Sequence, residues 1–339
     1  MATLREIAKA AGVSIRTVSR HLIKKGRKDY VGAATRRDIE TAIAKLGYQP
    51  NLAARALRAA RSHFVSVLTF TTDELRMAQV AALQQDLRRE DYLVSLTFEQ
   101  PFASAERIVE TLHDLIGQKP AGIAVLGAEP LTMQHAIPAL IPTLVRSKIP
   151  YVLLDPKGMD KSISRFDSIR INRGRGVQDA VHYLAKRGAK RIAYLGTQEE
   201  RSRLDGYDKA MKKLGRKPLF VDYPGEELEG LRETARRFAM QKKRPDAVLA
   251  HSDFIAMAFL AGLHDAEVKV PDDVALIGFD NRFASDYCCW PRLTTIAQPV
   301  SLVGEAGAHV LLRKIQGFSR PPGGWSMTFP TQLILRETA

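Results

Sequence analysis

The apolar positions of the first fifty residues recur at helical spacing. Leu4, Ile7 and Ala8 share a face, and Thr3-Leu4-Arg5-Glu6 reads as a capping box opening a helix that runs to about residue 11. Gly12 permits the left-handed turn that stops it. Ser14 is a good N-cap for a second helix. In that helix Val18 and Leu22 fall on the buried side, while Arg16 and Arg20, four apart, point together elsewhere. Ile39, Ala42, Ile43 and Leu46 mark a third helix, ended by Gly47. Two short helices, a glycine turn and arginines on the open face of the second form the pattern of a helix-turn-helix with its recognition helix. A helical hairpin with basic decoration has the same periodicity, so the pattern alone leaves both readings open.

Beyond residue 63 the pattern changes to short apolar runs alternating with amphipathic stretches. Strands are predicted at 64–70, 93–98, 122–126 and 151–154, and a second series at 169–171, 191–195, 219–223, 247–250 and 274–279. Helices are predicted at 75–90, 103–116, 174–186, 204–214 and 254–264. Repeated β-α units imply parallel sheets covered by helices. Two series imply two lobes, with a ligand cleft where the strand ends face each other.

Charge sharpens the reading of the head. Residues 1–61 hold fourteen Lys and Arg against four acids, a net +10, out of +14 for all 339 residues. A small basic head on a near-neutral body fits a polyanion partner, and a solvated charged surface fits as well. No run of 18 apolar residues exists, and the N-terminal segment is polar with no signal-peptide core, so a cytoplasmic protein off the membrane is expected. The two cysteines, Cys288 and Cys289, are adjacent and read as reduced thiols rather than a disulfide or a zinc site.

Two segments carry a resemblance to a known family. Leu4-Arg-Glu-Ile-Ala-Lys-Ala-Ala-Gly-Val-Ser-Ile-Arg-Thr-Val-Ser-Arg20 closely resembles the DNA-binding head of the lactose-repressor (LacI/GalR) family, and 46–58 is similar to its hinge. In the body, 246–253, 270–280, 293–299 and 331–337 look like signatures of the same family. The resemblance implies an all-α helix-turn-helix head on a two-lobed α/β body of the periplasmic-binding-protein type (type I), with parallel sheets. It implies a regulator, a repressor, whose affinity for a palindromic double-stranded DNA operator is controlled by a small carbohydrate-like effector, acting as a homodimer. The absence of a leucine-heptad tail argues against a tetramer.

By that likeness Ile15, Arg16 and Arg20 fall on base-reading positions, and Ser14, Thr17 and Ser19 on the phosphate-contacting side, with Thr3 also assigned to DNA. Arginine suits a bidentate contact to guanine, and hydroxyls suit phosphates. The resemblance implies a short hinge helix that Asn51 can cap, with Ala54 facing the minor groove and Leu57 wedging into it, where a floppy linker is the alternative. The domains implied are a head at 1–48, a hinge at 49–61, a first lobe at 62–158 and 298–323, and a second lobe at 159–297 and 324–339. Crossings between lobes are expected near 155–164, 295–298 and 322–325.

Three residues are implied as ligand contacts: Arg203, Asp280 and, at a crossover, Asp155. An acid that accepts from hydroxyls opposite a guanidinium that donates to ring oxygens suits a polyol. The family's usual aromatics are missing at Gly225 and across 71–76, where Asp73 and Arg76 supply charge instead and suit an acidic or otherwise modified sugar. Two departures touch the head: the basic loop 24–30 is longer than usual, and Gly32 stands where a serine cap is common. An enzyme is the rival class, but no HExxH, GxSxG or GxxxxGK[ST] motif occurs, and no cofactor or metal is expected. Arg173-Gly-Arg-Gly176 is read as a helix start.

Overall fold

The structure is a computed structural model that describes residues 2–23, 31–48, 62–100, 103–127, 140–156, 166–197, 201–223, 225, 227–321 and 324–339. Two compact units emerge, 1–62 and 63–339. The hinge assignments Asn51, Ala54 and Leu57, and the basic loop 24–30, lie outside the described residues.

In the first unit three helices form: α1 (Leu4–Ala10), α2 (Ile15–Ile23) and α3 (Ala33–Leu46). The capping box is present, with the Glu6 amide donating to Thr3 Oγ1 at 3.3 Å and the Thr3 amide to Glu6 Oε2 at 2.6 Å. Gly12 takes φ +65°, the left-handed turn its position demands. Ser14 Oγ accepts from the Thr17 amide at 3.0 Å, closing the start of α2. The core is Ile7, Ala8, Val18, Ile39 and Ala42, with Leu22 and Ile43 at its margin. Leu46 is exposed, against the periodicity, because α3 ends there and Tyr48 packs onto the core instead. Gly32 caps α3 without a side-chain hydrogen bond.

The second unit contains two six-stranded sheets. The first is built from β1 (Phe64–Thr69), β2 (Leu93–Phe98), β3 (Gly122–Leu126), β4 (Tyr151–Leu154), β5 (Ser168–Asn172) and β11 (Met327–Pro330), all parallel, in the order β11-β5-β4-β3-β1-β2. The second is built from β6 (Ile192–Leu195), β7 (Leu219–Phe220), β8 (Ala247–Ala250), β9 (Ala275–Asp280), β10 (Thr294–Ala297) and β12 (Gln332–Ile334), in the order β12-β10-β9-β8-β6-β7. Among the described strands only β12, against β10, is antiparallel. Helices α4 (Glu74–Arg89), α5 (Ala105–Gly117) and α11 (Val300–Ile315), with a helical segment at 140–147, belong to the first lobe. Helices α6 (Arg173–Lys186), α7 (Arg201–Lys213), α8 (Leu228–Ala239), α9 (Asp253–Asp265) and α10 (Phe283–Tyr287) belong to the second.

The topology corrects the lobe boundaries. The run 169–171, expected in the second series, forms β5, which pairs with β4 in the first sheet, and Ile169 and Ile171 pack in the first-lobe core. The first crossing therefore falls between Asn172 and Arg173, not at 155–164. Likewise β11 pairs with β5, Met327 opposite Ile169, so the last crossing falls at Thr331 rather than at 322–325. An isolated three-residue apolar run shows a strand but not its partner. The middle crossing follows β10, at 297–300, against the 295–298 expected.

One glycine pair decides how close two helices come. A Cβ on Gly206 would run into the backbone of Gly174, and one on Gly174 into Ser202 O, so the first turns of α6 and α7 touch through bare backbone. Both helices then pack on the second sheet through Val177, Ala180, Val181, Leu204, Tyr207 and Ala210. We expect Gly206→Val to force these helices apart and to destabilise the body by roughly 1–3 kcal/mol, the usual cost of overpacking a filled site. Urea unfolding followed by circular dichroism measures it, and an unchanged midpoint would show that the two helices can move apart at no cost.

Candidate functional site

On the head, α2 turns one face inward with Val18 and the opposite face out. Ile15, Arg16 and Arg20 are exposed, and Thr17 and Ser19 are half-buried beside them. Ser14 Oγ and Thr17 Oγ1 lie 2.8 Å apart at the start of the same helix. The predicted base-reading and phosphate-contacting residues are thus gathered on one short helix. The Thr3 hydroxyl is exposed but shares a hydrogen-bond pair with Glu6.

In the body, side chains from the C-terminal ends of both sheets enclose a cavity of about 520 Å³. From the first lobe come Asp73, which caps α4, and Arg76 and Gln79 on that helix. From the second come Arg203 on α7, His251 after β8 and Asp280 at the end of β9. Arg173 and Gln298 enter from two of the crossings. Parallel strands place their ends, and the loops that follow, along one edge of each sheet, which is why residues far apart in sequence meet here.

Arg203 is buried. Its Nη1 donates to the His251 carbonyl, its Nη2 lies 3.4 Å from Asp280 Oδ1, and its guanidinium sits 4.1 Å from the centre of the Phe279 ring. Asp280 Oδ1 also accepts from Gln298 Nε2 at 2.6 Å. The backbone at Asp280 takes φ +122°, a region that favours glycine, so the carboxylate is held in place at a cost in strain. Behind it, Asp253 Oδ2 accepts from the Arg282 amide at 2.8 Å and Oδ1 from Thr295 Oγ1. Burial, and then the nearby Asp280 charge, push the Asp253 carboxyl up despite those hydrogen bonds.

Asp155 differs from its expected role. It does not line the cavity. It lies just beneath, 1% exposed, and both of its oxygens are occupied by guanidinium groups. Arg76 Nη1 donates to Oδ2 at 2.7 Å, Arg173 Nη1 to Oδ1 at 2.8 Å, and Arg173 Nη2 to Oδ2. Burial alone would raise this carboxyl. The Arg173 and Arg76 charges outweigh it and bring the value down to about 2. Asp73, expected at the ligand, lines the cavity, but its Oδ1 caps α4 by accepting from the Leu75 and Arg76 amides. Across the mouth, Arg282 of the second lobe reaches Glu74 at 3.8 Å and Asp73 at 4.0 Å, and the Phe283 amide donates to Glu74 Oε1 at 3.4 Å.

The head matches the family described as bacterial regulatory proteins, lacI family, over residues 3–51, and residues 181–339 match a periplasmic binding protein-like domain. Over 322 residues the chain is 31% identical to the ribose operon repressor of Escherichia coli (strain K12), covering 93% of each protein. The chain belongs to the lacI family. A second relative of this lacI-family regulator is the HTH-type transcriptional repressor PurR of Photobacterium profundum, 29% identical over 348 residues, covering 100% of this chain and 98% of that one. Among solved structures, the Lac repressor bound to ONPG in the repressed state superposes with a TM-score of 0.82 at 26% identity, covering 100% and 99% of the two chains. The cellobiose complex of the transcriptional regulator CelR gives 0.66 at 25% identity with full coverage of both. The protein is a transcriptional regulator of this fold and not an enzyme. No helix among the described residues is long and apolar enough to cross a membrane.

Among the cavity residues of this lacI-family protein that escape a reading of the sequence, four have a traceable signal or role. Arg173 does begin a helix, as read, but its position directly after a strand at a sheet's C-terminal edge is the signal that its side chain enters the cleft. Arg282 follows Asp280 by two residues, and Gln298 lies within the 293–299 signature at a crossing. Phe254 supplies an aromatic surface from the second lobe, although none stands at Gly225 or across 71–76.

Asp155→Asn should leave two buried guanidinium groups without their counter-ion and cost about 3–5 kcal/mol of stability. The depressed carboxyl also sets a pH window. With a folded value of about 2 against an ordinary 3.8, Asp155 contributes about 2 kcal/mol. That contribution is fully present above pH ~4 and disappears as the pH falls through ~2. Denaturant unfolding of wild type and variant between pH 7 and 3 tests both, and equal stabilities at pH 7 would refute the bridging role.

Proposed function

We propose that the protein is a repressor that reads a palindromic operator with Arg16, Arg20 and Ile15 of α2, and that a small carbohydrate-like effector bound in the cleft controls its DNA affinity. The observation that carries this reading is the pairing, in one lacI-family chain, of an exposed two-arginine helix with a polar cavity enclosed by two lobes. The names of the relatives support it: a ribose operon repressor, the repressor PurR, and a regulator crystallised with cellobiose. Within the cleft, Arg203 and Asp280 form the donor–acceptor couple that suits a polyhydroxylated ligand. Ser14, Thr17 and Ser19 suit phosphate contacts.

Coupling needs only a differential affinity. Arg282 ties the second lobe to Glu74 and Asp73 of the first, so a ligand that draws on Asp280 also changes the surroundings of the residue that spans the mouth. The effector then favours one lobe arrangement over the other.

A homodimer completes the reading. The second lobe exposes Phe283 and Tyr287, stacked 4.6 Å apart, beside Trp290, which is 80% exposed. The edge strand β2 exposes Leu96 and Phe98 on the first lobe. Apolar patches of this kind need a cover, and a second copy provides one while presenting a second α2 to the other half of a palindrome. Tyr287→Asp should therefore yield monomers in sedimentation at micromolar concentration. If the variant sediments as the wild type does, that face is not the seam.

DNA reading is tested by Arg16→Ala. The loss should be about 1–3 kcal/mol on the cognate operator and small on random DNA, because a base contact carries sequence information and a phosphate contact does not. Fluorescence anisotropy on both duplexes at fixed salt measures it. Equal losses on the two would move Arg16 to the phosphate backbone.

A further inference from the structure

The cavity is polarised. On the first-lobe side, Arg76 Nη1 donates to Gln79 Oε1 at 3.1 Å and to Asp155. A guanidinium can only donate, so the Gln79 amide must present its oxygen to Arg76 and its nitrogen elsewhere. That nitrogen is buried, lines the cavity side of α4, and has no hydrogen-bond partner. The acceptors nearby are already engaged: both Asp155 oxygens with guanidinium groups, Asp73 with the α4 amides, and Glu74 with the Phe283 amide and Arg282. The first-lobe floor therefore offers donors.

The opposite side carries the Arg203 and Arg282 guanidinium groups and, beside them, acceptors. Gln298 Nε2 donates to the Asp280 carboxylate, which fixes that amide as well, and Gln298 Oε1 is left buried without a partner. Asp280 accepts from Arg203 and Gln298, and the Arg282 guanidinium lies 3.5 Å from it as an ion pair. Two glutamines, one on α4 and one at the β10–α11 crossing, each turned by a charged neighbour, thus bring opposite ends to the same cavity: an unpartnered N–H and an unpartnered carbonyl.

We propose that the effector is an acidic polyol, a sugar bearing a carboxylate or a phosphate, seated with its anionic group on Arg76 and Gln79 and its hydroxyls toward Asp280 and Gln298. The proposal rests on the reading of this cavity as the effector site. An acceptor-only group satisfies the Gln79 N–H and forms charge-assisted bonds with a 5% exposed guanidinium, which are stronger than neutral ones. Hydroxyl donors satisfy the Gln298 carbonyl. Leu75, Met257, Phe254 and Val300, also on the lining, suit the C–H faces of a sugar ring.

The test uses the full-length chain and matched pairs: D-galactose with D-galacturonate, D-glucose with D-gluconate, and D-glucose with D-glucose 6-phosphate. Thermal shift finds binders and calorimetry ranks them. In at least one pair the acidic member should bind tenfold or more tightly than its neutral partner, and the uronate, aldonate and phosphate arms show which anion fits. Gln79→Met keeps the Asp155 ion pairs and should weaken the acidic member about tenfold while leaving the neutral one unchanged. Asp280→Asn should weaken both. A neutral sugar that binds as well as its acid, or a Gln79→Met loss equal for both, overturns the anionic assignment while leaving the cleft as effector site. If no compound of either kind binds, the cleft reading and the assignment fall together.

Discussion

One buried carboxylate fixes the geometry on which the cleft depends. Asp155 directly follows β4, Arg76 sits in the first turn of α4, and Arg173 opens α6 just past the first crossing. A buried acid without partners would be neutral, and buried guanidinium groups without an acid would be costly. Together they are stable, and the arrangement aligns three elements that share no hydrogen-bonded strand pairing with one another apart from β4 and β5. Arg76 is thereby presented to the cavity at a fixed angle, and Gln79 is oriented in turn through its bond to Arg76. The cavity's donor wall is a consequence of a charge that the ligand itself never needs to touch.

On the opposite wall the same logic runs through Asp280, which is held by a strained backbone rather than by burial alone. Its neighbours Arg203, Gln298 and Arg282 come from α7, from the β10–α11 crossing and from the loop after β9. Of these three, Arg282 also reaches acids of the other lobe, Asp73 and Glu74. Half-buried at the mouth, it faces three carboxylates and satisfies none of them closely. Contacts of 3.5–4.0 Å are weak individually and easily redistributed, so Arg282 links the lobes without locking them.

Much of this is legible in the chain. The helix-turn-helix is readable because capping, turn and core positions all fall within a short stretch, so local chemistry and fold coincide: Thr3 with Glu6, Gly12, Ser14 and Val18 each act where their type predicts. Arg203 and Asp280 are legible through resemblance, and the structure brings them together. What is not legible depends on long-range pairing. Residues 168–172 read as a strand, but only the pairing with β4 assigns them to the first lobe. Asp155 reads as a ligand contact because it follows a strand at a crossing, yet whether such an acid meets solvent or a guanidinium is decided by α4 and α6, which approach it from elsewhere in the sequence. Gln79 gives no signal, and Gln298 only its place in the 293–299 signature, since an amide's role depends on which of its ends a neighbour has claimed.

The crossings place the same residues in the cavity and between the lobes. The three connections run at 172–173, 297–300 and 330–331, and they converge: Pro330 lies opposite Asn172, and a Cβ on Gly176 would meet both Thr331 and Ile296. Arg173 and Gln298 sit on two of these connections and also line the cavity. Backbone dihedrals in such short connections absorb any rotation of one lobe against the other. A ligand that engages the Gln298 carbonyl or the Arg173–Asp155 network therefore acts on the hinge itself. The closeness of Gly176, Thr331 and Ile296 packs two of these connections against the start of α6, with no room for a side chain at Gly176.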